Sequence, residues 1–125
     1  MSDIRNPYFT EISRAVEDIT YRHGLRLILC NSDEDPAKEQ AYLDLMADEQ
    51  ASGVILSATL ERLRRPPAQA LPFPVVLVDR VPARGDSPLA SDSVVLHNTG
   101  AARRLAQHLV DNGHRRIAAL VGSRS

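Results

Sequence analysis

Residues 74–80 read PVVLVDR: a proline, four uninterrupted aliphatic residues from Val75 to Val78, and then a charged pair, Asp79-Arg80. Four apolar residues between turn formers are too few for a helix. Their lack of alternation predicts a strand buried on both faces, as in a parallel sheet.

The same grammar extends in both directions. Upstream, Val54-Ile55-Leu56 follows Gly53, and the mostly apolar run Leu25-Arg26-Leu27-Ile28-Leu29-Cys30 follows Gly24, so both are expected to be strands. Helices are expected between them. Asn6 is a good cap and Pro7 suits a first helical position, after which Phe9, Ile12, Val16 and Ile19 recur at helical spacing, predicting a helix from Pro7 to about His23 that Gly24 stops. Asp35-Pro36 repeats the signal and leads through Ala41, Tyr42, Leu45 and Met46, with Gly53 marking the turn into the next strand. Thr59 to Ala70 starts helically, but Pro66-Pro67 removes backbone donors, so a short or irregular crossover is expected. Downstream, Arg80 to Ser91 reads as a loop and Ser93 to Leu96 as a short strand. Asn98 then caps a helix with an apolar stripe at Ala102, Leu105, Ala106, Leu109 and Val110, Asn112-Gly113 ends it, and Ile117 to Val121 reads as a last strand. Strands alternating with helices define an α/β chain with a doubly wound parallel sheet, which binds ligands at the carboxyl ends of its strands. Asn31, Ser57, Asp79, His97-Asn98 and Gly122 occupy those positions.

Composition narrows the function. A chain of 125 residues holds one core at most, and its net charge of -1 leaves no bulk attraction for nucleic acid. The single cysteine, Cys30, has no internal disulfide partner, and the start MSDIRNPYF lacks a secretory pattern, which points to the cytoplasm. No apolar run is long enough to span a bilayer, so no membrane partner is expected. Neither G-x-G-x-x-G nor G-x-x-x-x-G-K-[ST] occurs, G-x-S-x-G is missing, and His23, His97, His108 and His114 match no metal-ligand spacing. No dinucleotide, phosphate cradle, metal, cofactor or hydrolytic nucleophile is therefore expected, and the chain reads as a non-enzyme. Asp79-Arg80 would offer a ligand an acceptor beside a fork of donors, although a local ion pair explains the same residues. Tyr8 and Phe9 could stack on the apolar side of a sugar ring, although Phe9 alone is better explained as core. Asp33-Glu34-Asp35 reads as acids drawn to a helix start by its dipole.

Four stretches together resemble the effector-binding core of the lactose-repressor/galactose-repressor family, whose fold is shared with periplasmic sugar-binding proteins. They are DIRNPYFTEISRAVED (3–18), LILCNSDEDPAKEQAYL (27–43), PVVLVDR (74–80) and HLVDNGHRRIAALVG (108–122). The resemblance implies that Asn6, Tyr8 and Phe9 lie against the ligand and that Asp79 and Arg80 supply polar contacts, with Ser57, His97 and Asn98 completing the candidate set. Where the family has an acid before Asn, this chain has His97. The resemblance further implies that residues 1–125 are a partial effector-binding domain, the N-terminal lobe, without the family's helix-turn-helix, its first central strand or its second lobe. The implied partners are a sugar or related polar metabolite, a second copy in a homodimer, and operator DNA reached only through the helix-turn-helix. A periplasmic sugar-binding protein of a transporter shares the same motifs and is the alternative; N-G-H-R-R-I favours the repressor branch.

Overall fold

In the computed structural model, which describes residues 3–65, 70–82 and 92–120, Val75–Val78 is the middle strand of a three-stranded parallel sheet. The order along the chain is α1 (Pro7–Arg22), α2 (Pro36–Asp48), β1 (Val54–Leu56), α3 (Leu60–Arg64), β2 (Val75–Val78), β3 (Asp92–Val94) and α4 (Asn98–Asp111). The sheet order is β1-β2-β3. This is the expected α/β architecture. Residues up to Val94 form one compact unit and those from Val95 another.

Local signals placed the first helices. The Asn6 side chain accepts from the Tyr8 amide at 3.0 Å with Pro7 at the first helical position, and Gly24 takes φ 69 just beyond the end of α1. Asp35 caps α2 in the same way, accepting from the amides of Ala37 and Lys38. The turn after α2, however, uses Gln50 at φ 53 rather than Gly53, whose place is close beside Pro74. α3 is short, as expected, with the Thr59 hydroxyl accepting from the Arg62 amide. Pro66 and Pro67 lie outside the described residues, as does most of the expected loop after Arg80.

Register decides which side of the sheet is covered. Val54 pairs with Val75 and Leu56 with Leu77, so these four share one face, while Ile55 and Val76 share the other. On the first face Leu56, Val75 and Leu77 pack with Leu43 and Met46 of α2 and with Phe73 into the core. Burying each such side chain contributes about 1.5–3 kcal/mol. On the opposite face Ile55 is half exposed, so the sheet is not covered equally on both sides.

Among the described residues, two expected strands are not formed. Residues 25–30 carry no strand pairing, and Leu25, Leu27, Ile28 and Leu29 are exposed. Apolar composition does not make a strand without a neighbour to bond, and among the described residues β1 bonds only β2. Between this run and β1 lies a cavity of about 570 Å³, lined by Val16 of α1, Leu43 of α2, Leu27, Leu29 and Ile55. Residues 117–120 are likewise unpaired, and Val121 and Gly122 lie outside the described residues. α2 also turns differently from its expected stripe: Glu39, Leu43 and Met46 are buried, while Leu45 is exposed.

In the second unit, Asn98 is the first residue of α4 rather than its cap. His97 occupies the cap position without a side-chain bond, and Gly113 at φ 84 follows the helix end. The expected stripe of α4 is unburied, with Leu105 70% exposed.

Candidate functional site

Parallel strands end on the same side of their sheet, which brings the residues following β1 and β2 to one edge. Ser57, Ala58 and Thr59 follow β1 and are all buried. Asp79 follows β2 in a left-handed conformation at φ 71, while its amide donates to the Val94 carbonyl at 3.1 Å. A non-glycine residue in that region is strained by about 1 kcal/mol or more, and such strain gathers at binding sites.

Arg80 comes next and reaches across to the loop before α2. Its Nη1 lies 2.8 Å from the Glu34 carboxylate, and its Nε lies 3.7 Å from that of Asp79. The loop it meets is also strained, since Asp33 and Glu34 have φ 53 and 59. Asp33 is held by Lys38 Nζ at 2.6 Å and by Asn31 Nδ2 at 2.6 Å, which keep its carboxyl below the ordinary carboxylate range. The same contact holds the Lys38 ammonium above its ordinary value. Asn31 Oδ1 in turn accepts from the Ile4 amide at 3.2 Å, tying the start of the chain to this rim. Beside it, Arg5 grips Asp3 through both Nε and Nη2 at 3.1 Å.

The structure thus joins Arg80 directly to Asp79 and to Glu34, while Asn31 bonds Asp33, the neighbour of Glu34 in the same loop. Asn6 spends its side-chain oxygen on capping α1. Phe9 is buried, and Tyr8 is partly buried against its edge with ring centres 5.2 Å apart, so Tyr8 is the more accessible of the aromatic pair. His97 and Asn98 belong to the second unit. The large cavity beside β1 is apolar and touches Phe9 and Ser57 but neither Asp79 nor Arg80.

Sequence reading missed two groups. The helix dipole explains acids at a helix start in general, yet of Asp33, Glu34 and Asp35 only Asp35 caps α2. Glu39 is buried: its carboxylate accepts from the Thr59 amide at 2.7 Å and from Arg62 Nε, and Arg62 Nη2 donates to Gln40 at 2.7 Å. Its position four residues before Leu43 and seven before Met46 was the available signal.

The family profile described as periplasmic binding proteins and sugar binding domain of LacI family matches residues 1–125. The chain belongs to this family. Among curated relatives, a ribose operon repressor from Halalkalibacterium halodurans is 35% identical over 120 residues, covering 96% of this chain and 34% of the relative. A PurR transcriptional repressor from Mannheimia succiniciproducens is 36% identical over 117 residues, covering 91% of this chain and 34% of the relative. The chain therefore spans about a third of the length of the curated relatives it matches. A crystal structure from Burkholderia thailandensis, described as a ribose operon repressor, aligns with TM-score 0.74 and 26% identity over 91% of this chain and 42% of that one. A periplasmic binding protein/LacI transcriptional regulator from Alkaliphilus metalliredigens, complexed with D-xylulofuranose, shares the fold at TM-score 0.70, with 23% identity over 90% of this chain and 39% of that one.

Proposed function

We propose that this chain is the sugar-binding part of a transcriptional repressor, with Asp79 and Arg80 as its polar grip. The observation that carries the reading is the strained Asp79 followed by Arg80 at the carboxyl end of β2, in a chain of this family. A carboxylate accepts from sugar hydroxyls while a guanidinium donates to neighbouring oxygens, so the pair suits a polyol. Tyr8 and Phe9 would cover the apolar side of the ring, Asn6 would act through the helix start it caps, and Ser57 would add a polar group from the end of β1. Residues 1–125 form part of one lobe of the effector domain and carry out no catalysis.

Closure of a lobe pair on the effector would bias the spacing of DNA-reading helices in a cytoplasmic homodimer, helices that residues 1–125 do not supply. The net charge of -1 supports a part that does not itself hold DNA. Among the described residues no helix is long and apolar enough to cross a membrane. The names of the curated relatives support a repressor over a transporter's binding protein. Titration calorimetry with D-ribose tests the site: heat of binding that Arg80→Ala removes is expected, and binding undiminished in that variant would refute the assignment.

A further inference from the structure

We propose that Glu34 is a specificity-determining residue, a built-in carboxylate that turns Arg80 into a site for uncharged polyols and excludes anions. The inference rests on the reading that Arg80 contacts the ligand. Of the three consecutive acids at 33–35, two are committed to the loop and the first turn of α2: Asp33 to Lys38 and Asn31, and Asp35 to the amides that open α2. Glu34 reaches instead to a guanidinium 46 residues away in the sequence. The backbone is set for this reach, since Asp33 and Glu34 both hold the left-handed conformation that lets the chain reverse.

The consequence is electrostatic. Arg80 faces two carboxylates, Glu34 at 2.8 Å and Asp79 at 3.7 Å, so the group carries a net negative charge. The neighbouring cations give no relief, because Lys38 is paired with Asp33 and Arg5 with Asp3. A phosphate or carboxylate approaching Arg80 would have to expel Glu34 and meet Asp79 as well. A hydroxyl can donate to these carboxylates and accept from the guanidinium without introducing charge, so a neutral sugar is accepted where its phosphate ester is not.

Calorimetric titration with inorganic phosphate reads this directly. Wild type is expected to bind phosphate negligibly, and Glu34→Gln to bind it at least about tenfold more tightly, a change of about 1.4 kcal/mol. The gain is expected to vanish when Arg80→Ala is added, and Glu17→Gln, which removes the same charge from α1, is expected to gain nothing. Glu34→Ala, checked with Glu34→Gln for an unchanged circular dichroism spectrum, is expected to gain phosphate equally. Equal phosphate binding by wild type and Glu34→Gln, a matching gain in Glu17→Gln, or a gain that survives loss of Arg80 would each overturn the role of Glu34. D-ribose titrated into the same proteins separates the two claims: phosphate gained through Arg80 with no ribose bound by any variant keeps the role of Glu34 and removes the sugar reading.

Discussion

Arg62 donates through Nε to the carboxylate of Glu39, an ion pair whose side chains are 9% and 2% exposed. The pair fastens the first turns of α2 to Thr59 at the start of α3, and so stands behind the buried end of β1 where Ser57 lies. Removing Glu39 would take the acceptor from the buried Thr59 amide and the carboxylate from the largely buried Arg62, leaving Arg62 its bond to Gln40. Glu39→Ala is therefore expected to cost about 3–5 kcal/mol of stability, and Glu39→Met with Arg62→Leu less than the sum of the two single changes. Urea unfolding with unchanged m-values checks both, and a loss below about 1 kcal/mol for Glu39→Ala would show that water reaches the pair.

Asp79 and Asp33 are both acids with positive φ, but they face different tasks. Asp79→Asn keeps a residue type that tolerates the left-handed region while removing the charge that would meet the ligand. It is expected to weaken D-ribose binding by about 1.5–3 kcal/mol, roughly tenfold or more. Asp33→Asn, which disturbs only the bonds to Lys38 and Asn31, is expected to change affinity far less. Equal losses in calorimetry would remove the distinction.

The Lys38 bond also predicts a titration. Asp33 is held below the ordinary carboxylate range first by Lys38 and then by Asn31. A carboxyl depressed in the folded state contributes stability that is complete above its unfolded pKa and is lost as pH falls through the folded value. Carbon-detected NMR of the Asp33 carboxyl is expected to give a midpoint below that of a free aspartate, rising toward it in Lys38→Met. No movement in that variant would assign the shift to another group.

How much was legible follows the range of each signal. β2, the caps Asn6 and Asp35 with their prolines, and the stops at Gly24 and Gly113 were all read correctly because each depends on a few adjacent residues. Leu25–Cys30 and Ile117–Leu120 failed because a strand exists only with a partner, which composition does not encode. Asp79 and Arg80 were placed after the right strand, yet nothing local announced the positive φ of Asp79. The Glu34–Arg80 pair spans 46 residues, and a helix-start explanation for the acids concealed it.

The last prediction concerns the edge of β1 and the cavity beside it. Among the described residues β1 pairs with β2 alone, which leaves a row of backbone groups facing a cavity of about 570 Å³, with the apolar run 25–30 on the far side. Unpaired strand edges and exposed apolar side chains both recruit further chain, and Leu25, Ile28 and Ile55 are each at least half exposed. An extended apolar segment entering there would bond β1 on one side and convert 25–30 into a strand on the other. The 125-residue chain on its own is therefore expected to associate as its concentration rises, seen as earlier elution in size-exclusion chromatography. Hydrogen exchange should show the amides of 26–29 unprotected in the monomer and slowed in the associated form, with Leu77 protected in both. A species that stays monomeric at high concentration with 26–29 already protected would mean that the run is paired within its own chain, contrary to the three-stranded sheet.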